Sequence, residues 1–296
     1  MKLYIRSKFY SSKASMFKHF LITRFNLRKE DWTTNKHNKP ILTDEWHRNR
    51  FKLFTDYCFP SVMSQTNTNF EWIVFFDSST KKEYRLIISK LDEQFLNFKP
   101  IFIDGMTQFL PSIKTYISNF KEKYIITTGI DNDDCIGKHF IEEIQKRFNN
   151  QYFMCLDFID GYTIQTQSEI KVGKKLHQYN PFLSLFEINN NPKTIKDRSH
   201  RNWKKEKNVL QIHGVRIWSS VIHHENKVNE FTGYGHTNLD DFFNEFVISK
   251  PQQDFIQKQA IPVNKWRLES AINYVSSYWK FYSKNIKRNL GFYNKK

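Results

Sequence analysis

Tyr124-Ile125-Ile126-Thr127-Thr128-Gly129-Ile130-Asp131-Asn132-Asp133-Asp134 is the stretch from which the fold can be read. Its first half is apolar and β-branched, as in a strand buried within a sheet. It ends in three carboxylates within four residues. Carboxylates this close raise one another's pKa unless solvent screens them or a cation neutralises them. In open α/β sheets ligands bind outside the carboxyl ends of the strands. Hard carboxylate oxygens suit Mg²⁺ or Mn²⁺, above all where substrate phosphates complete the shell. A plainer reading makes the three residues the acidic start of a helix. Residues Gly137 to Phe148 are helix-like, with Ile136, Phe140, Ile141, Ile144 and Phe148 on one face.

Upstream of this stretch, strand-like and helix-like patterns alternate. His19 to Thr23 reads as a strand ending at Arg24, and the polar run Arg28 to Thr43 as a loop. A helix is predicted from about Glu45 to Ser64, capped by Asp44 and kinked or shortened by Pro60. Phe70 to Phe76 is apolar almost throughout, as in a strand covered on both faces, and stops at Asp77. A helix through Tyr84 and Leu91, a short strand Ile101–Ile103 and a helix through Ile113 and Phe120 follow. Downstream, Tyr152 to Leu156 is a strand, and Tyr162–Thr166 with Glu169–Val172 reads as a hairpin. The basic run Asn189 to Asn208 reads as a mobile loop. Gln211 to Ile222 alternates like strands and ends at His223-His224, and Thr237 to Val247 is a short helix. The expected fold is α/β: a mostly parallel sheet flanked by helices, with a small antiparallel part in the second half.

The chain has 296 residues and 28 phenylalanines, ample for a sizeable core. Lys plus Arg is 46 against 30 Asp plus Glu, a formal charge of +16. Such a surface attracts nucleic acid, anionic lipid or phosphorylated substrates. No helix-turn-helix, zinc-finger or RNP-type motif is present, which turns the expectation away from nucleic acid. The cysteines, Cys58, Cys135 and Cys155, are scattered and odd in number, as in a reducing compartment. The N-terminus has no uninterrupted apolar run, and no stretch approaches the length needed to span a bilayer. The expected location is cytoplasmic, with a peripheral place on the inner face of the membrane as an extension.

Two motifs lie in a recognisable order. Ser61-Val62-Met63-Ser64-Gln65-Thr66 leads into the strand ending Phe76-Asp77-Ser78-Ser79-Thr80, and Asp131-Asn132-Asp133-Asp134 follows about one βαβα unit later. This resembles family-2-type glycosyltransferases of the GT-A fold over roughly residues 18–150, and more weakly to about 230. The Arg24-Phe25-Asn26 strand end, the Trp46 to Pro60 helix and Trp218-x-x-Val221-x-His223-x-x-Asn226 resemble more closely the bacterial proteins called putative rhamnosyl transferases.

The resemblance implies a metal-dependent transferase, with Mn²⁺ or Mg²⁺ as cofactor. It would move a sugar, rhamnose by the family's name, from a nucleotide-sugar donor to a glycan or glycolipid acceptor. Asp77 matches the carboxylate that accepts from the nucleobase, although Phe76 stands where the family has a first Asp. Asp131 matches the carboxylate facing the ribose or the metal, and Asp133 the direct metal ligand. Asp134 is a supporting or acceptor-side candidate, and His223 a late metal ligand; each has a plainer structural reading as a hydrogen-bonded residue. Arg24, Lys196, Arg198 and Arg201 are candidates to face the diphosphate. Glu187, Asp157 and Asp160 are candidate general bases. Asp240-Asp241 with His236 invites a second metal reading, against which stands a helix start at Thr237.

The expected organisation is a GT-A-like domain over 1–268, with a nucleotide-binding half at about 18–150 and an acceptor-side half at about 151–268. Residues 269–296 form a basic amphipathic helix in this reading. Ile272, Val275, Trp279, Tyr282, Ile286 and Leu290 recur at helical spacing among Lys280, Lys284, Lys287 and Arg288. That stripe suits an anionic membrane surface or, equally, the protein's own core. Competing readings are another metal-dependent nucleotidyl- or phosphotransferase, and a basic nucleic-acid-binding protein.

Overall fold

The run Phe17–Arg24 is covered from His19 to Thr23 because it enters the middle of a sheet. The computed structural model describes residues 16–34, 40–226 and 230–293. Residues 1–17, basic and Ser-rich, read from the sequence as a poorly defined lead-in; all but the last two of them lie outside the described residues, as do residues 35–39 of the expected loop.

In chain order the elements are β1 (Phe17–Arg24), α1 (Asp44–Leu53), α2 (Phe59–Met63), β2 (Glu71–Asp77), α3 (Lys82–Gln94), β3 (Phe98–Ile103), α4 (Phe109–Ile117) and β4 (Tyr124–Gly129). Then come β5 (Cys135–Ile136), α5 (Phe140–Gln145), β6 (Phe153–Phe158), β7 (Asp160–Gln165), β8 (Lys171–Leu176) and β9 (Ser184–Ile188). The last are β10 (Val209–Ile212), β11 (Trp218–Ile222), α6 (Leu239–Glu245), α7 (Lys250–Gln259) and α8 (Arg267–Asn289).

A seven-stranded sheet runs β10-β6-β9-β4-β1-β2-β3. β1 pairs parallel with β2 and β4, β2 with β3, and β10 with β6; β9 is antiparallel to both its neighbours. Alternate side chains supply two cores. Leu21, Trp72, Val74, Phe76 and Ile126 pack on one face with helix residues such as Phe51, Ile88 and Ile144. Phe20, Ile22, Ile73, Phe75 and Ile125 pack on the other with Ile113 and Ile117 of α4. Each fully buried side chain of this kind contributes about 1.5–3 kcal/mol. The sequence expectation of a mostly parallel, helix-flanked sheet with an antiparallel part matches this arrangement.

A second, four-stranded sheet, β5-β11-β7-β8, stands at the carboxyl end of β4. Its β7–β8 hairpin is the one expected from the sequence. Its edge strand β5 begins directly after Asp134. The acidic stretch therefore crosses from one sheet to the other and starts no helix. α5 begins only at Phe140 and ends at Gln145, shorter than the predicted helix, and Ile136 lies in β5.

Three local expectations change. Thr43, not Asp44, caps α1: its Oγ1 accepts from Trp46 N at 3.2 Å. Pro60 does not end the helical run, which passes through a π turn at Phe54–Cys58 and continues to Met63. Proline has no N–H for the carbonyl of Asp56, and Ser249 N donates to that oxygen instead at 2.7 Å. The basic run 189–208 is not a loose loop either. Ile195 and Trp203 are buried with Cys155, Tyr179, Leu183 and Leu185, and the Trp203 ring N–H reaches Ile195 O. Its polar composition hid two apolar anchors among many charges.

Candidate active site

β1, β2 and β4 are parallel, so their carboxyl ends open on one edge of the sheet. A cleft of about 210 Å³ lies there. Arg24 and Phe25 enter from β1, Trp46 and Arg50 from α1, Asp131 and Asp133 from beyond β4, and Arg201, Glu225 and Asn226 from the second half of the chain.

Asp133 is the hub. Its Oδ2 takes Arg50 Nη1 at 2.7 Å and His223 Nε2 at 2.9 Å, with Asn226 Nδ2 at 3.4 Å. Its Oδ1 has no hydrogen bond among the described residues. Burial alone would push this carboxyl up, but the Arg50 charge and the His223 hydrogen bond outweigh burial and hold it well below the ordinary carboxylate range. His223 Nδ1 accepts from Glu225 N at 3.2 Å. A backbone N–H can only donate, so this pattern assigns the imidazole proton to Nε2, which donates it to Asp133; Asn226 Nδ2 lies 3.0 Å from the same nitrogen as a second donor towards Asp133 Oδ2.

Asn132 fastens the tip to β1. Its Nδ2 donates to Phe25 O at 2.9 Å, and its Oδ1 accepts from Arg50 at 3.0 Å. Asp131 is exposed and faces the cleft. The half-buried Lys196 comes down over Gly129: a Cβ there would stand 2.9 Å from Lys196 Nζ and 2.6 Å from Pro181 O. Only glycine admits so close an approach. Burial lowers the Lys196 pKa, with Asp131 opposing that shift.

The other sequence candidates divide. Asp134 is buried, and its Oδ1 accepts Val221 N of β11 at 2.9 Å, tying the link between β4 and β5 to the second sheet. Burial, then the charges of Asp133 and Asp131, push its pKa well above the ordinary value. Asp77 is fully covered and saturated. It accepts Ser79 Oγ at 2.6 Å, Ser79 N and Arg28 Nε at 2.9 Å, and Arg28 N at 3.0 Å. These bonds outweigh burial and hold its pKa down. Arg24 lies over the Trp32 ring, 5.4 Å from its centroid.

Glu187 is not brought to the cleft. It pairs with Ile125 near the start of β4, at the opposite end of the sheet, and its oxygens take Lys193 N and Thr194 N at 2.8 and 2.9 Å. Asp157 holds Tyr179 N and the side chains of Asn180 and Gln211, and Asp160 holds Gly214 N and Arg216. Arg198 lies over the Trp203 ring. Asp240 and Asp241 form the first turn of α6, capped by Asn238 rather than Thr237.

Arg50, Asn132, Glu225 and Asn226 escaped the sequence reading as site residues. Arg50 had a signal: a lone charge four residues after Trp46 and four before Phe54, on the apolar stripe of α1. Asn226 had one as well, as the last residue of the Trp218-x-x-Val221-x-His223-x-x-Asn226 motif; Glu225 had none, because its placement depends on the turn after β11.

No group of three or more His, Cys, Asp or Glu among the described residues is arranged to hold a metal. Two donors fit one nonetheless, provided the ion takes the place of the Nε2 proton that His223 gives to Asp133. Adjacent corners of an octahedral shell at 2.0–2.1 Å stand about 3 Å apart, and Asp133 Oδ2 and His223 Nε2 are 2.9 Å apart. A divalent ion would complete its shell from ligand oxygens and water.

No curated protein matches the chain. Among solved structures, S. aureus TarS 1-349 in complex with UDP is 11% identical over 81% of this chain and 69% of that one, with a TM-score of 0.40. The mannosyltransferase PcManGT from Pyrobaculum calidifontis, in complex with GDP-Man and Mn²⁺, is 6% identical over 94% of this chain and 76% of that one, also with a TM-score of 0.40. The chain spans 42% of the longer S. aureus TarS structure. The family described as "Putative rhamnosyl transferase" matches residues 17–234, most of the chain and every residue that lines the cleft. The protein belongs to that family and is a glycosyltransferase.

Proposed function

We propose that the protein transfers a sugar, rhamnose by its family's description, from a nucleoside-diphosphate sugar to a glycan or glycolipid acceptor, with Mn²⁺ or Mg²⁺ bound. One observation carries this reading: Asp133, at the carboxyl edge of the sheet, is bracketed by His223 and Arg50 in a cleft that also holds Arg24, Asp131 and Arg201. Asp133 and His223 would hold the ion, which offsets the negative charge that grows on the departing diphosphate. Arg24, Lys196 and Arg201 act on the same charge from around the cleft.

For the proton of the acceptor hydroxyl we place Glu225. It lines the cleft, Asn49 holds its Oε1 at 2.9 Å, and its Oε2 has no partner among the described residues. The acceptor oxygen attacks the anomeric carbon, its proton passes to Glu225, and the carbon–oxygen bond to the diphosphate breaks with both electrons on the leaving oxygen. The test is release of nucleoside diphosphate from a panel of nucleotide-sugars, with wild type, Glu225→Gln and EDTA. Turnover by Glu225→Gln at the wild-type rate removes Glu225 from this role. No turnover with any donor removes the reading.

The proposed partners include an anionic membrane surface. No helix among the described residues is long and apolar enough to cross a membrane. α8, however, turns its polar side inward: Glu269 pairs with Lys171, Asn273 reaches Gly233 O, and Asn285 takes Gln178. Its apolar stripe faces out, with Val275 66%, Trp279 73% and Leu290 67% exposed. Among the described residues nothing covers this stripe, which supports the membrane reading over docking on the protein's own core. Exposed Lys265, Arg267 and Lys287 lie on the same segment and complement acidic headgroups.

A further inference from the structure

Under the inner side of α8 is a second cavity, of about 280 Å³. It touches the active-site cleft through one shared side chain, Arg201. The ends of β1, β2 and β4 do not line it; β8 and α8 do. Its cations are Lys175, Arg201, Lys280 and Lys284, against the single carboxylate of Glu230.

None of these four cations forms an ion pair among the described residues. Lys175 is buried and donates to the neutral Ser220 Oγ at 2.9 Å. Like charges converging on one space repel, and solvent screens the buried Lys175 and the half-buried Lys284 less than the exposed Arg201 and Lys280. Burial lowers Lys284, with Asp157 opposing that shift and Lys204, Lys280 and Arg201 adding to it, and burial lowers Lys175 to about 8, with Asp134 opposing. An anion in the cavity relieves both costs.

Gln178 adds an independent sign. It is 3% exposed and lines the cavity. Its Nε2 donates to Gln211 and Asn285, yet its Oε1 has no partner among the described residues. A buried acceptor without a donor is costly, and a ligand hydroxyl supplies one.

We propose that this cavity binds a phosphate group carried by the acceptor: the lysines hold the phosphate, Gln178 takes a hydroxyl beside it, and Arg201 sits between acceptor and donor. The assignment rests on the transferase reading above, and the phosphate belongs either to a soluble phosphorylated sugar or to a lipid headgroup.

The test is calorimetry on the full chain with inorganic phosphate as probe, comparing wild type with Lys280→Ala/Lys284→Ala and Lys280→Arg/Lys284→Arg. Phosphate taken up in the cleft is common to all three and cancels. The alanine pair is expected to lose about tenfold or more in affinity, since each 1.4 kcal/mol is tenfold, and the arginine pair to stay near wild type. Equal affinity in the alanine pair overturns the proposal. Its thermal midpoint is expected to hold or rise, because repulsion is relieved. Should the double variant not fold, Lys280→Ala alone is read, since that side chain is exposed. Repeating the comparison with a soluble sugar phosphate and with phosphatidic acid vesicles tells the two sources apart, and loss with neither overturns the proposal. A separate titration with nucleoside diphosphates keeps the two readings distinct. Failure of wild type to bind any of them counts against the transferase, while the phosphate comparison still decides the cavity.

Discussion

Arg50 Nη1 lies 2.7 Å from Asp133 Oδ2, and both side chains are about nine-tenths buried. The carboxylate expected to await a metal is thus already neutralised by an arginine from α1. This changes what Asp133→Asn does to the fold. From the sequence, easing repulsion among Asp131, Asp133 and Asp134 would leave stability unchanged or improved. In the structure the substitution strands Arg50, and breaking a buried pair costs about 3–5 kcal/mol. Asp133→Asn is expected to lower turnover by orders of magnitude and to shift urea unfolding by part of that cost, since Asn132 still accepts from Arg50. Asp133→Asn/Arg50→Met is expected to regain stability without activity. A double variant no more stable than the single one shows that Arg50 does not depend on Asp133.

EDTA is expected to abolish turnover, and Mn²⁺ or Mg²⁺ to restore it. His223→Ala is expected to raise the Mn²⁺ concentration for half-maximal activity tenfold or more, as removing one of two protein donors requires. If the variant keeps the wild-type metal dependence, His223 only supports Asp133.

Asp77 holds Arg28 and the Ser79 turn with both oxygens. Asp77→Ala is expected to destabilise by about 1.5–3 kcal/mol, the range for hydrogen bonds to a charged group, because the turn at Ser79 and the β1 end at Arg28 lose their shared acceptor while the exposed donors turn to water. Nucleoside-diphosphate affinity is expected to fall with it, through displacement of the β1 and β2 ends. Thermal unfolding beside calorimetry checks this. A large affinity loss at unchanged stability would instead mean that Asp77 meets the base directly.

His19 is buried between Thr128 Oγ1, at 2.8 Å, and Gln145 Nε2, at 3.2 Å. Burial lowers its pKa to about 3, below the ordinary 6.5. The unfolded chain therefore takes up a proton that the folded one refuses. Stability from this group is complete above about pH 6.5 and drains away as pH falls towards 3, by at most about 1.4 kcal/mol per unit. His19→Gln is expected to flatten that part of the acid-unfolding profile. An unchanged slope between pH 6 and 4 would locate the acid sensitivity elsewhere.

Trp279 and Ile286 on α8 are 73% and 58% exposed. Trp279→Ser/Ile286→Ser is expected to leave the unfolding midpoint within about 0.5 kcal/mol of wild type while weakening co-sedimentation with phosphatidylglycerol vesicles several-fold. Undiminished vesicle binding would take the membrane away from this face.

The sequence by itself determined the parallel half of the sheet and the edge on which the cleft opens. Buried strands such as Phe70–Phe76 and Tyr124–Ile130 need continuous apolar runs, and those runs stop abruptly at Asp77 and Asp131. The acidic tip and His223 were legible because carboxylates and a histidine at strand ends are rare enough to stand out. Their surroundings were not legible. Arg50 reaches Asp133 across 83 residues of sequence, and Asn226 reaches it across 93. Local spacing carries no information about which distant side chain neutralises a charge. Glu187 shows the same limit from the other side. One strand's direction decides which end of the sheet its carboxylate occupies, and β9 runs antiparallel to β4. α8 is the clearest case. Its apolar and polar stripes are both written in the sequence, but only the tertiary structure decided that the polar one turns inward, where Lys171, Gly233 and Gln178 supply polar partners that a hydrophobic face could not satisfy.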